Sequence, residues 1–315
     1  MKYKNVYINN KYSLLSSTRY DPIVKGNVDK CIDDYYLGKK VIELAESAYQ
    51  EMTIGELLKN SKVDLLVSGD LQNQILSSTL ASSRYKIPTL GIYSACASFV
   101  EGLIIASEFA SRGDRVIVSS SSHNLVSEKQ FRFPVEYGAL RKRVNTCTAS
   151  GSVSVLLSKK VSNIKIESST IGFITRTNHK DTNDMGSAMA PACAEVLLSH
   201  LKEMKRKESY YDLILTGDLG IYGSLIMKDY FYRLSGNELD NVIDAGSIFY
   251  KSNKIYAGAS GPVCLPLVLF DYIIPQKKYK KILIIGTGSL HSVLSSNLGL
   301  AIPSIAHAVS LEVKY

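Results

Sequence analysis

The chain has 315 residues, of which 45% are apolar and 21% are charged. This length and balance exclude a small disulfide-stapled scaffold and a disordered chain, and they are sufficient for a large buried core. The net charge of +8 favours anionic partners in general, such as anionic ligands or membrane surfaces. The basic residues are concentrated in three runs, at 141–143, 202–207 and 277–281.

The five cysteines are widely spaced and form no CxxC pair, so the sequence predicts neither a disulfide framework nor a zinc site. This spacing fits a reducing compartment, and we expect no metal and no cofactor. The amino terminus lacks a signal-peptide pattern, and no stretch reaches the roughly 18 to 20 apolar residues needed to span a bilayer. Any membrane association is therefore expected to be peripheral.

In chain order, short β-branched runs alternate with longer amphipathic segments. The pattern predicts strands at 63–70, 89–95 and 115–122, separated by helices at 71–85 and from about Ala97 to Arg112. Such alternation is typical of an α/β fold in which helices cover a largely buried sheet.

The sequence also repeats itself weakly, with three segments recurring in the same order. The matched pairs are Asp64–Gln74 with Asp212–Gly223, Arg115–Asn124 with Lys281–Ser292, and Ser150–Lys160 with Ile305–Tyr315. An ordered repeat of this kind predicts two duplicated α/β halves, residues 1–160 and 161–315. Two similar halves placed face to face would form one pocket between their strand ends.

Cys96 is the strongest candidate for chemistry. It lies in GIYSACAS, where a predicted strand at Thr89–Tyr93 meets a helix beginning near Ala97. A thiolate at a helix N-terminus is stabilised by the helix dipole, so we expect a lowered pKa and a nucleophilic sulfur. The alternative is a small buried cysteine in a tight turn.

The segment around Cys96 resembles the nucleophile turn of the thiolase and ketoacyl synthase superfamily. That resemblance implies two duplicated halves in a five-layer αβαβα arrangement. Two further motifs, Gly258–Gly261 (GASG) and Ser304–Ala308 (SIAHA), are similar to family motifs. Their alignment places Ile255 at the position of the catalytic His and Ser304 at the position of the acid/base Cys. The resemblance therefore implies a pseudo-enzyme that keeps only the nucleophile position, with His307 as a conceivable substitute base.

Nearly the whole chain is more closely similar to the stage V sporulation AD family of endospore-forming bacteria. That resemblance implies binding of dipicolinic acid (pyridine-2,6-dicarboxylate), as the free dianion or its calcium chelate. It also implies a part in dipicolinate uptake into the developing spore, peripherally on the inner spore membrane beside the other stage V sporulation A membrane proteins. The segments that carry the resemblance are Gly69–Ile75, Gly91–Ser98, Ser120–Gly138, Asp184–Ala192, Thr216–Gly220 and Ile302–Glu312.

A planar dicarboxylate needs N–H, hydroxyl and cationic donors in a pocket that can also face an aromatic ring. Arg132 is the best candidate for a bidentate carboxylate clamp. Three of the candidates also have a structural interpretation. Asp70 could equally be an N-cap, and Met189 could be a core residue. His123 could be a loop histidine whose ring is hydrogen-bonded to backbone groups. The full set of predicted ligand-binding residues is Cys96, Asp70, His123, Asn124, Arg132, Ser150, Met189, Ser260 and His307.

Two other hypotheses stay open. In one, Cys96 serves an active acyltransferase or condensing enzyme; in the other, the chain is a scaffold with a vestigial pocket. Nucleic acid is not an expected partner, and a homodimer is expected only by analogy with the fold.

Overall fold

The structure is a computed structural model, and it describes residues 1–18, 20–132, 138, 140–251 and 257–315. The described residues form fourteen strands and nine α-helices. The strands are Tyr7–Ser16 (β1), Lys30–Ile32 (β2), Leu65–Gly69 (β3), Thr89–Gly91 (β4), Val116–Ser122 (β5), Thr146–Thr148 (β6), Gly151–Ser158 (β7), Ile164–Ile171 (β8), Thr175–Arg176 (β9), Leu213–Thr216 (β10), Val242–Asp244 (β11), Gly258–Ser260 (β12), Lys281–Ser289 (β13) and Pro303–Val313 (β14). The helices are Ile42–Leu58 (α1), Leu76–Ser82 (α2), Ser98–Arg112 (α3), Asn124–Phe131 (α4), Met185–Met204 (α5), Gly220–Ser235 (α6), Ala245–Ile248 (α7), Cys264–Val268 (α8) and Val293–Asn297 (α9).

Twelve of the described strands form one sheet in the order β11-β10-β13-β14-β8-β1-β7-β5-β3-β4, with β2 and β9 as side branches. The sheet consists of two runs with the same pattern. In the first, β3 is parallel to β4 and β5, while β7 is antiparallel to β5 and β1. In the second, β10 is parallel to β11 and β13, while β14 is antiparallel to β13 and β8.

We call β1–β7 with α1–α4 the first half and β8–β14 with α5–α9 the second half. The three repeated sequence segments fall on equivalent strands, namely β3 with β10, β5 with β13 and β7 with β14. The predicted boundary after residue 160 lies between β7 and β8. The halves join where Tyr7 and Ile8 pair with Lys165 and Ile164.

Alternating strand residues face different helix layers, because successive side chains of a strand point to opposite faces. In β5, Val116 and Val118 pack into the central core with α3, whereas Ile117 packs toward α1. In β13, Ile284 joins the same central core, whereas Leu283 packs toward α5 and α6. The result is five layers, with α3 and α8 between the two halves of the sheet.

The local elements differ from the sequence prediction near the predicted site. The predicted strand at 89–95 ends already at Gly91, and the predicted helix at 71–85 begins only at Leu76. Residues Leu71–Ile75 instead form a turn, because Asp70 accepts hydrogen bonds from the backbone N–H groups of Gln72 and Ser78, both at 2.7 Å.

A second carboxyl group lies buried beside this turn. Glu46 of α1 is 1% exposed, and its Oε2 accepts a hydrogen bond from Nε2 of Gln72 at 2.9 Å. Neither Glu46 nor Asp70 takes part in an ion pair within the described chain. Burial, together with the charge of Asp70, raises the pKa of Glu46 to about 8.

A raised carboxyl pKa means that the folded state holds its proton more tightly than the unfolded state. The free energy of unfolding should therefore fall as pH rises from about 5 towards 9. We expect Glu46→Gln to mimic the protonated form, with similar stability at pH 5 and a gain of several kcal/mol at pH 9, because each unit by which the folded-state pKa is raised contributes about 1.4 kcal/mol. Urea unfolding at several pH values measures this, and parallel stability curves for the two proteins would contradict it.

Candidate functional site

Cys96 is presented by a tight turn between β4 and α3. A 3₁₀ turn covers Ala95–Ala97, and Ala95 adopts a left-handed backbone with φ +50°. Such a conformation costs on the order of 1–3 kcal/mol for a residue with a side chain. Ser98 holds the turn, because its Oγ donates to the carbonyl of Ala95 at 2.7 Å and accepts from the N–H of Ser94 at 3.0 Å.

The second half approaches this turn closely along β13. A Cβ atom placed on Gly288 would lie 2.2 Å from the carbonyl oxygen of Ser94. The small residues of Gly286–Ser289 are thus explained by close contact between the two halves.

The Cys96 thiol lies beside the carboxylate of Asp218, which follows β10. Burial and the charge of Asp218 raise the pKa of Cys96 well above its ordinary value. The predicted lowering of this pKa is therefore wrong. Desolvation and a neighbouring carboxylate both disfavour a thiolate, and together they outweigh the helix N-terminus.

Asp218 is itself fixed by groups of the second half. Its carboxylate accepts hydrogen bonds from the N–H of Gly261 at 3.0 Å and from Oγ1 of Thr287 at 2.8 Å. Burial raises its pKa to about 6, so it is largely ionised above neutral pH. Asp218 thus connects β10, β12 and β13 to the turn that carries Cys96.

Cys96 lines a small cavity of about 30 Å³ between the halves, with room for only a few water molecules. The paired strands β6 and β12, one from each half, contribute the neighbouring residues Thr148 and Ser260 to its wall. The other lining residues are Leu71, Tyr93, Ala95, Ser127, Glu128, Phe131, Arg132, Met185, Ser289 and His291.

The cavity adjoins a much larger cleft of about 740 Å³. Tyr93, Phe131 and His291 line both spaces and therefore form the neck between them. The other residues of the cleft are Asn73, Gln74, Ile75, Gly91, Ile92, Gln130, Leu290, Ser292, Val293 and Leu294. Its volume lies within the range typical of small-molecule sites.

Arg132 provides a buried cation in the cavity wall. Its Nη1 donates to Oε1 of Glu128 at 2.8 Å and to the carbonyl of Thr146 at 3.1 Å. Arg141 also pairs with Glu128, at 3.0 Å, so two guanidinium groups share one carboxylate. The Nε of Arg132 is buried and has no acceptor within the described part of the chain. A donor left in this state costs roughly 1–3 kcal/mol unless a ligand or water accepts from it.

His291, in the loop after β13, contributes a second unpartnered nitrogen. Its Nε2 is buried without a partner among the described residues, while its Nδ1 lies 3.5 Å from Oγ of Ser289. Its ring centroid lies 5.1 Å from that of Phe131. Burial and the nearby charge of Arg132 lower the pKa of His291 to about 4, so the ring is neutral at physiological pH.

Of the predicted ligand-binding residues, Cys96, Arg132 and Ser260 line the cavity together. Asp70 instead holds the Leu71–Ile75 turn, and it is not the N-cap of α2, which is Ile75. His123 is fully buried, where its Nε2 donates to the carbonyl of Tyr35 at 2.9 Å and its Nδ1 accepts from the N–H of Leu125 at 3.2 Å.

The remaining predicted residues lie in other parts of the core. Asn124 and Ser150 bind each other, since the N–H of Asn124 donates to Oγ of Ser150 at 2.9 Å. Met189 packs in the apolar core of α5. His307 lies on β14, where its Nδ1 accepts from the N–H of Gly172 at 3.3 Å and burial lowers its pKa to about 4.

Two positions are aligned with the catalytic His and the acid/base Cys of thiolases, namely Ile255 and Ser304. Ser304 is buried on β14, paired with Ser289 and 3.5 Å from the carbonyl of Thr175. Ile255 lies outside the described residues.

Two residues of the site are absent from the predicted set: Asp218, which lies beside Cys96, and His291, which lines the cavity. Both stand in the repeated segments, at the ends of β10 and β13, so the repeat could have identified them. Asp218 is equivalent to Asp70, and the sequence alone gave no means of choosing which of the two would meet Cys96.

Comparison with known proteins agrees with this architecture. The family model of stage V sporulation protein AD matches residues 3–312. Stage V sporulation protein AD of Bacillus subtilis (strain 168) is 33% identical over 321 aligned residues, covering 98% of this chain and 94% of that relative.

Two solved structures represent the fold. An OleA variant from Xanthomonas campestris superposes with a TM-score of 0.62 at 15% identity, covering 99% of each chain. The 3-oxoacyl-[acyl-carrier-protein] synthase III of Aquifex aeolicus VF5 gives 0.59 at 13% identity, covering 98% of this chain and 99% of the other. These similarities confirm the predicted thiolase-like α/β fold, and the family match assigns a sporulation role. The chain belongs to the stage V sporulation protein AD family.

Proposed function

We propose that this chain binds dipicolinic acid without turning it over and supports its uptake into the developing endospore. One observation carries the proposal: Arg132 and His291 line the same cavity, and each has a buried nitrogen, Nε and Nε2 respectively, without a partner among the described residues. An anionic ligand with a nearby heteroatom satisfies both nitrogens at once. Membership of a sporulation family supports this choice among anionic ligands.

The shape of the site suggests how such a ligand lies. The inner cavity is too small for a whole pyridine dicarboxylate, so one carboxylate reaches inward towards Arg132. The aromatic ring then occupies the neck, between the rings of Tyr93 and Phe131. The second carboxylate, alone or chelating calcium, points into the outer cleft.

Calorimetric titration with dipicolinate tests this arrangement. Arg132→Ala should weaken binding by roughly 2–5 kcal/mol, because it removes a charged donor from a desolvated site. Ser260→Ala should cost about 1 kcal/mol, the usual value of one neutral hydrogen bond. Titrations with and without calcium show which ligand form is preferred.

Arg141→Ala is the matched control for this experiment. It removes a positive charge from the same carboxylate, Glu128, but Arg141 does not line the cavity. Equal losses in Arg132→Ala and Arg141→Ala would show that general charge, rather than contact with Arg132, drives binding. Unchanged binding in Arg132→Ala would move the site elsewhere.

The lack of turnover is also a proposal, and it is supported by the state of Cys96. Its neighbour is a carboxylate that keeps the thiol protonated, whereas a nucleophilic cysteine needs a base or a lowered pKa. This observation favours the binding protein over the alternative acyltransferase or condensing enzyme.

Alkylation of Cys96 by iodoacetamide measures its state. We expect slow labelling at pH 7.5 and about tenfold faster labelling in Asp218→Asn, because removing the negative charge lowers the thiol pKa. Peptide mass spectrometry separates Cys96 from the exposed Cys31. With acetyl-CoA, thiol release should not exceed that of Cys96→Ala. Cys96-dependent turnover of about 1 per second or faster would establish an enzyme.

We further propose peripheral attachment to the inner spore membrane through the other stage V sporulation A membrane proteins. No helix among the described residues is long and apolar enough to cross a bilayer. Attraction to anionic lipid supplies about 1 kcal/mol per basic residue near the surface, and salt weakens it. The three basic runs are separate in sequence and need not share one face. Contacts with the membrane proteins therefore contribute most to the attachment. A homodimer stays a prediction.

Co-sedimentation with anionic vesicles, with and without the membrane proteins, tests this attachment. Binding to bare vesicles should be weak and lost at physiological salt, while binding to vesicles that carry the membrane proteins should persist. Salt-resistant binding to bare vesicles would exclude attachment through partners.

A further inference from the structure

The turn Leu71–Ile75 forms one wall of both the cavity and the cleft. Leu71 lines the inner cavity beside Cys96, whereas Asn73, Gln74 and Ile75 line the outer cleft. Any movement of this turn therefore changes the width of the passage to Cys96.

The backbone of the turn is strained. Gln74 has φ +57° and ψ +30°, and Ile75 has φ +49° and ψ +49°. Left-handed backbone is unfavourable for residues with a Cβ and a genuine outlier for a β-branched residue such as isoleucine. Ile75 also packs closely on Gly91, since a Cβ at that position would lie 2.3 Å from Cδ1 of Ile75. Strain of this kind persists only where the surroundings hold it.

Two side chains hold the turn at its two sides. Asp70 fixes its base through the N–H groups of Gln72 and Ser78. Gln130 of α4 fixes its outer side, because its Nε2 donates to the carbonyl of Leu71 at 2.8 Å and its Oε1 accepts from the N–H of Asn73 at 3.1 Å. Gln130 directly precedes Phe131 of the neck.

We infer that Gln130 is a latch that holds the strained Leu71–Ile75 turn closed over the cavity. Breaking its two hydrogen bonds lets the turn relax outward, about the base fixed by Asp70, and opens the neck towards Cys96 and Arg132. Gln130 is a positioning residue in this scheme. The role of the latch in ligand entry rests on the proposed function, whereas the latch itself rests only on this geometry.

The labelling rate of Cys96 by iodoacetamide reports opening without any ligand. In a Cys31→Ser background, Gln130→Ala should label about tenfold faster than the parent. Gln130→Glu keeps the acceptor for Asn73 but loses the donor to Leu71, so its rate should be intermediate. The three proteins should show the same pH profile, because opening changes access to the thiol and not its pKa.

Relief of the strain should act in the opposite direction. Gln74→Gly removes the cost of the left-handed backbone, stabilises the closed turn and should label about threefold more slowly. Gln74→Ala is the matched control, because it loses the same side-chain atoms but keeps the strain, and it should not slow labelling. Gln74 is exposed, so neither variant disturbs the core.

Parent-like labelling of Gln130→Ala at an unchanged melting temperature would overturn the latch, as would equal slowing by Gln74→Gly and Gln74→Ala. Stopped-flow mixing with dipicolinate then tests its role in entry, where Gln130→Ala should raise association and dissociation rates together. If the parent binds no dipicolinate, the proposed function fails while the labelling result still decides the latch. Unchanged rates in a parent that binds would overturn the role in entry.

Discussion

The carboxylate of Asp218 is the group on which the site depends. It is buried between the two halves, where it accepts from Gly261 and Thr287 of the second half and lies beside Cys96 of the first. A buried charge is tolerated only when donors surround it, so this one group fixes the relative position of three strands and the cysteine turn. Gly288 permits the same close contact from the side of β13.

The same interaction determines the chemistry of the sulfur. A cysteine in a tight turn before a helix can act as a nucleophile, yet its reactivity depends on the groups around it. Here the adjoining group is an acceptor with a negative charge, which keeps the thiol protonated. The turn positions the cysteine, and Asp218 disfavours its thiolate form.

The charged groups at the Arg132 side of the cavity do not balance. Glu128 binds both Arg132 and Arg141, so these three side chains together carry one net positive charge. His291 stays neutral because it is buried beside Arg132. Under the proposed function, this arrangement attracts an anion to the neck, where it satisfies Nε of Arg132 and Nε2 of His291, two buried nitrogens without partners among the described residues. Recognition would then rest on few polar contacts within a mostly apolar pocket, as in many small-molecule sites.

The sequence by itself determined the α/β class, the duplication and the turn that carries Cys96. Strand periodicity and a repeated order of segments can both be read directly from the order of residues along the chain. It could not determine which polar residues meet. His123 and His291 follow equivalent strands, as Asp70 and Asp218 do. In each pair the member in the second half belongs to the site: Asp218 lies beside Cys96, and His291 lines the cavity. Only the tertiary structure decided which polar residues meet, because the cavity is built where the two halves meet. The hydrogen-bond partners that satisfy Asp70 and His123 within the first half cannot be read from residue type.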